Sequence, residues 1–241
     1  MIGLQLYTLR DALTRDFEGV IRQVAAMGYP SVETAGIYGE SPKYAKALFD
    51  ELGLRVSSAH SPLPLGDDQA KALDTVKTLG ADTLVFPWID AANFESLDNI
   101  KRLCDRLNEA DAVTRANGLR LAYHNHDFEL RRLPDGSLPL LRMAEFLAPT
   151  VLFEVDTYWV QTGGANVLDV LKTLGDRAPL LHIKDGSTKV GDPMTAVGDG
   201  VMDFPAIFAA TNAEYWIVEA DRVDGDAVAA VEKSFRYLSQ L

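Results

Sequence analysis

The sequence predicts one (β/α)8 barrel, on three observations. Eight short runs rich in aliphatic and β-branched residues alternate with longer stretches whose apolar residues fall at helical spacing, and several of those stretches end in a glycine shortly before the next strand. Eight such units in 241 residues fit a closed barrel better than an open doubly wound sheet, which usually has fewer strands. No G-x-G-x-x-G run follows the first strand, which weakens a dinucleotide-binding reading. With 47% hydrophobic residues the chain can bury a substantial core, and no linker or low-complexity tract divides it, so residues 1–241 are expected to form a single domain.

Taken in order, the strands are expected at IGLQLY from Ile2, SVET from Ser31, LRVSSAH from Leu54, TLVF from Thr83, LRLAYHNH from Leu119, VLFEVD from Val151, LLHIKD from Leu180 and YWIVEA from Tyr215. Phe17, Val20, Ile21, Val24 and Ala25 share one face of the first helical stretch; Ile100, Leu103, Leu107 and Ala110 do so in the fourth. Gly28, Gly53, Gly80, Gly118 and Gly175 stand where helices should stop. Cys104, inside KRLCDRL, reads as a buried helix residue. Two connections are longer than a minimal βα loop, and such loops build the site of a barrel. DFELRRLPDGSLPLL, with Pro-Asp-Gly at its centre, reads as a small hairpin. DGSTKVGDPMTAVGDGVMDF reads as a lid, in which Asp199 could close over a substrate or simply form a turn.

Thirty-five acidic against 23 basic side chains give a formal charge of −12, which repels a phosphate backbone and argues against nucleic acid. One cysteine can form neither an internal disulfide nor a thiolate zinc cluster. The opening MIGLQLYTLRD lacks a basic region and a long apolar run, and no stretch reaches membrane-spanning length, so a cytoplasmic protein with no membrane partner is expected.

Strand alternation places the polar residues. If Val151, Phe153 and Val155 face the helices, Glu154 and Asp156 face the barrel axis. By the same parity His182 and Lys184, Glu219 and Asp221, and His124 and His126 turn inward, and His60 closes the third strand likewise. Buried ionisable groups are costly unless paired or bound to metal. Mixed carboxylate and imidazole ligands suit one divalent ion of the Mn, Co, Zn or Mg class, which could polarise a sugar carbonyl while a neighbouring carboxylate removes the adjacent proton.

At these residues the sequence resembles the sugar phosphate isomerase/epimerase family of xylose-isomerase-like TIM barrels, which includes ketose 3-epimerases and inosose dehydratases. The motifs are GLQLYTLRD, VETAG, SAHSP, LAYHNHDFE, EVDTYW, HIKD, VGDGVMDF and IVEAD. The resemblance implies four metal ligands after strands five to eight; carried over, the last three are Asp156, His182 and Glu219. Where many relatives read Glu-Asn-His, this chain reads His124-Asn125-His126, so His124 is taken as the first ligand and His126 as a substrate contact or proton donor. Replacing that glutamate disfavours a two-base epimerisation and favours a one-base isomerisation or an elimination.

The expected enzyme is therefore a metal-dependent sugar or sugar phosphate isomerase or epimerase working through an enediolate. A lyase or dehydratase on a keto-inositol or 3-keto sugar is the alternative, and an inactive sugar-binding barrel a third reading. Glu219, His126 and Lys184 are the expected catalytic residues, with Lys184 able instead to pair with Asp156 or Asp185. Glu33, His60, Trp88 and Trp159 are expected to contact a small carbohydrate substrate, and Glu154 to orient a ligand. The resemblance also implies a homodimer or homotetramer.

Overall fold

The computed structural model describes every residue from Met1 to Leu241. Each expected apolar run forms a strand: β1 (Ile2–Gln5), β2 (Ser31–Thr34), β3 (Arg55–His60), β4 (Thr83–Phe86), β5 (Arg120–His124), β6 (Leu152–Asp156), β7 (Leu180–Ile183) and β8 (Tyr215–Val218). All pair in parallel, and β8 pairs with β1 to close the ring. Closure leaves no barrel edge of unpaired N–H and C=O groups.

A helix follows every strand: α1 (Phe17–Met27), α2 (Pro42–Glu51), α3 (Gln69–Leu79), α4 (Leu97–Ala116), α5 (Pro139–Phe146), α6 (Val167–Leu174), α7 (Phe204–Ala209) and α8 (Ala227–Leu238). Their starts are chemically specified. Asp16, Ser41, Ser96, Asn166, Asp203 and Asp226 each accept a first-turn N–H at α1, α2, α4, α6, α7 and α8. Gly28 and Gly80 end α1 and α3 in the left-handed region, where a side chain would be strained. Cys104 is buried in α4.

The apolar core has two parts. Outward-facing strand residues such as Leu4, Val32, Leu121, Phe153 and Leu181 pack under the helices, together with Phe17, Val20, Ile21 and Val24 of α1. Inside the ring, Val85, Ala122, Leu180 and Ile217 form a separate buried plug, with Leu152 and Tyr215 against it. Above the plug the inward rows turn polar, and the register fixes them: Gln5 beside Glu33, Glu33 beside Ser58, His124 beside Glu154, Asp156 beside His182. A one-residue slip would send each of these polar side chains into the helix layer.

Both long connections differ from expectation. The segment after β5 is not a hairpin: Leu133 donates its N–H to Ser137 O at 2.9 Å and closes a turn, but no strands flank it. Leu130, Leu133 and Leu140 are all buried here, which needs a compact turn rather than an alternating ribbon. The segment after β7 is tied down. Asp185–Gly186 pairs with Met194–Thr195, and the buried Asp185 carboxylate accepts N–H groups from Gly186, Gly198 and Gly200 at 2.9 Å and Met202 at 3.2 Å. A Cβ on Gly200 would stand 2.0 Å from an Asp185 oxygen, so only glycine fits. Asp199 is exposed and pairs with Lys233 at 2.6 Å. No helix is long and apolar enough to cross a membrane.

Candidate active site

At the C-terminal ends of the strands lies a cavity of about 410 Å³, walled by Tyr7, His60, Trp88, His124, His126, Glu219 and Asp221 among others. Trp88 and Tyr7 are its exposed aromatic rim. Below it Asp156, His182 and Lys184 have no exposed surface, and Glu33 and Glu154 are equally enclosed.

Two groups of potential ligand atoms overlap here. One atom each from His124, Asp156, His182 and Glu219 lie within 4.8 Å of one another; so do atoms of His60, His124, Glu154 and His182. The two histidines common to both groups divide their ring nitrogens between them. His124 turns Nδ1 to Glu154 at 3.1 Å and Nε2 towards Asp156 Oδ2 at 3.9 Å. His182 turns Nε2 to Glu33 at 2.7 Å and Nδ1 to Glu219 at 2.7 Å.

Local structure explains why these groups stay put. Gln5 and Ser58 donate to the two Glu33 oxygens. Asn125 accepts the Asp156 N–H at 3.0 Å, which ties the end of β5 to that of β6. Asp156 Oδ1 accepts the Trp159 N–H at 2.9 Å and caps the short helix Thr157–Thr162, leaving Oδ2 free to face inward. That oxygen is buried and makes no hydrogen bond, although Lys184 Nζ lies 3.0 Å away. Lys184 is closer to Glu219, at 2.8 Å, and Asp221, at 2.6 Å. Asp185, the other partner considered for Lys184, is committed to the loop instead.

The charge states follow from these contacts. Burial alone would discharge Lys184, but Asp156, Asp221 and Glu219 outweigh it and hold it charged. Burial would likewise discharge His182 and His60; the surrounding glutamates overcome it, placing His60 at about 10 and His182 well above its ordinary value. His124 is pushed well below its ordinary value by burial and then by its cationic neighbours, so it is neutral. Burial and Lys184 bring His126 down to about 3, also neutral. For Glu219 burial is overcome by Lys184 and His182, which keep it ionised. Burial raises Asp156 to about 6 against the pull of Lys184.

A buried carboxylate oxygen without a hydrogen bond, facing a neutral imidazole nitrogen across 3.9 Å, with another imidazole and a glutamate alongside, is a donor set that fits a divalent cation. Among the residues expected from the sequence, His60, Trp88, His124, His126 and Glu219 reach the cavity wall. Asp156, His182 and Lys184 lie directly beneath. Glu33 sits a layer lower with its carboxylate taken by Gln5, Ser58 and His182, so it supports the site from below. Trp159 stands behind the wall, with Lys184 Nζ 5.4 Å from its ring centre and its indole nitrogen unpartnered. Sequence reasoning passed over Tyr7, Gln5, Ser58 and Glu129; the polar alternation of the first and third strands held a signal only for Gln5 and Ser58.

The family model described as xylose isomerase-like TIM barrel matches residues 21–241. The chain belongs to this family. Among solved xylose isomerase-like barrels, a sugar phosphate isomerase/epimerase from Parabacteroides distasonis superposes with a TM-score of 0.86 at 27% identity, covering 100% of this chain and 98% of that one. The IOLI protein with a binding zinc atom superposes at 0.71 with 14% identity, covering 99% and 96%, a likeness of fold. An inosose dehydratase from Clostridium perfringens is 24% identical over 247 residues, covering 86% of this chain and 82% of its own length. Isomerases, epimerases and dehydratases thus occur on this xylose isomerase-like scaffold.

Proposed function

We propose that this barrel is a metal-dependent enzyme that enolises an unphosphorylated keto sugar or polyol-derived ketone and isomerises it. The observation that carries the reading is Asp156 Oδ2, buried without a hydrogen bond and with only the Lys184 ammonium beside it, among the ligand atoms of His124, His182 and Glu219 under an open cavity. The zinc atom bound by the IOLI protein, on the same fold, supports it. Bound on these four residues, one divalent ion of the Mn, Co, Zn or Mg class would supply a Lewis acid for a carbonyl and its neighbouring hydroxyl, acidifying the C–H of the hydroxyl-bearing carbon.

The chain's own groups do the rest. Glu219, ionised and on the cavity wall, takes the proton from carbon. Lys184 keeps Glu219 in that state and places positive charge near the developing enediolate. His126, neutral and on the cavity wall, hydrogen-bonds the substrate oxygens. His60 and Trp88 shape the wall. The preference for an uncharged sugar has a physical basis: no lysine or arginine lines the cavity, Arg10 spends its guanidinium on the carbonyls of Tyr7 and Asp221, and Asp203 and Asp226 fill the helix starts of α7 and α8.

Incubation with candidate ketoses in deuterated water tests the reading. Solvent deuterium beside the carbonyl of substrate and isomer is expected. Glu219→Gln should lower turnover about 10²- to 10⁴-fold with the fold retained, and full turnover in that variant sinks the proposed base. A second reading is elimination from the same enolate, favoured because Glu219 is the one carboxylate of the candidate ligand set on the cavity wall, where imidazoles accompany it. An unsaturated product decides for it.

A further inference from the structure

We propose that Glu154 is the positioning residue of this centre: from one layer below, it accepts the Nδ1–H of His124 and thereby aims the Nε2 lone pair of His124 at Asp156. The inference rests on the metal reading above and adds a determinant that lies outside the four candidate ligands.

A neutral imidazole carries one N–H and one lone pair, and the partner of one nitrogen decides the role of the other. His124 has a different partner on each side. Glu154, its register neighbour across β5 and β6, offers Oε2 at 3.1 Å to Nδ1, and because His60 Nε2 and His182 Nε2 converge on that same oxygen at 2.8 and 3.2 Å it stands as the acceptor. On the far side Nε2 faces Asp156 Oδ2 at 3.9 Å, beyond hydrogen-bond reach, so its lone pair and that oxygen point at each other. Glu154 itself cannot swing away. His60 Nε2 holds the same oxygen at 2.8 Å, and His182 Nε2 lies 3.2 Å from it while donating to Glu33 at 2.7 Å. Glu154 and Glu33 together therefore keep the lower nitrogens of both candidate ligands in hydrogen bonds, and their upper nitrogens facing Asp156 and Glu219.

Glu154 also belongs to the second, deeper group of potential ligand atoms, with His60, His124 and His182. The contacts favour an orienting role over ligation there: Glu154 Oε2 already has three imidazole nitrogens within 3.2 Å, whereas Asp156 Oδ2 makes no hydrogen bond and has only the Lys184 ammonium, at 3.0 Å, beside it. The unpartnered Glu154 Oε1 makes the distinction worth measuring directly.

The experiment uses the full chain labelled with ¹⁵N-histidine, first free of metal. Ring-nitrogen spectra of the wild type should report His124 in the Nδ1–H form. Glu154→Leu, which removes the acceptor, should lose that preference, and Glu154→Gln, whose amide oxygen can still accept, should keep most of it. Chelator competition with zinc should then give affinity about 10- to 100-fold weaker in Glu154→Leu, a smaller loss in Glu154→Gln, and no measurable binding in Asp156→Asn. An Nε2–H form of His124 in the wild type overturns the proposal without any variant. So does equal zinc affinity in wild type and Glu154→Leu, or zinc retained by Asp156→Asn and lost from Glu154→Leu, which would make Glu154 a ligand. A wild-type chain that binds no zinc counts against the metal reading, while the tautomer measurement still decides the role of Glu154.

Discussion

Glu129 has no exposed surface, and burial lifts its carboxyl to about 7, although Tyr123 OH donates to it at 2.6 Å and the His126 N–H at 3.0 Å. It holds the turn that carries His126 to the cavity. The unfolded chain loses this proton near 4.5 and the folded chain near 7, so between those values the folded state binds more protons and stability falls as pH rises. The interval corresponds to about 3 kcal/mol. Denaturant unfolding at pH 5 and pH 8, which spans most of that interval, should show wild type losing about 2.5 kcal/mol more than Glu129→Gln; parallel profiles would remove Glu129 as the cause. At this scale parity along the strands located His124, Glu154, Asp156, His182, Lys184 and Glu219, because alternation is a local property. Glu129 escaped it, since its partner Tyr123 is reached only when the chain turns back at the end of β5.

Among the elements, the segment after β7 depends on a single side chain. Asp185 accepts four backbone N–H groups, three of them from Gly198, Gly200 and Met202, which no regular structure would otherwise satisfy. Asp185→Ala should therefore cost about 2–4 kcal/mol, the order expected when buried donors lose a charged acceptor. It should also speed hydrogen exchange at Gly198, Gly200 and Met202 well before the barrel strands respond. Unchanged protection at those amides would show that the loop is held elsewhere. The strands and helix stops were legible because apolar periodicity and glycine are local signals. The hairpin and the lid were not, because what Leu133 or Asp185 bonds to depends on segments packed beside it.

For the molecule as a whole, counting eight repeats predicted closure, and the β1–β8 pairing bears it out. The site's charge balance was less legible. Glu33, Glu154, Asp156, Glu219 and Asp221 find only His60, His182 and Lys184 as charged partners around them, and a divalent ion would relieve that excess. Zinc or manganese at about a hundredfold over its dissociation constant should stabilise the fold by ~2.7 kcal/mol and raise Tm by roughly 5–10 °C. A chelator should reverse the shift and Asp156→Asn abolish it; an equal rise in Asp156→Asn would place the ion elsewhere. The plug of Val85, Ala122, Leu180 and Ile217 beneath these charges is also an insulator. Its side chains offer no donor or acceptor, so the exchangeable hydrogens of His60, His182 and Lys184 trade with solvent through the mouth. A ligand seated there should cork the barrel: a pulse of deuterated water given before binding should mark those groups, and the same pulse given afterwards should find them sealed.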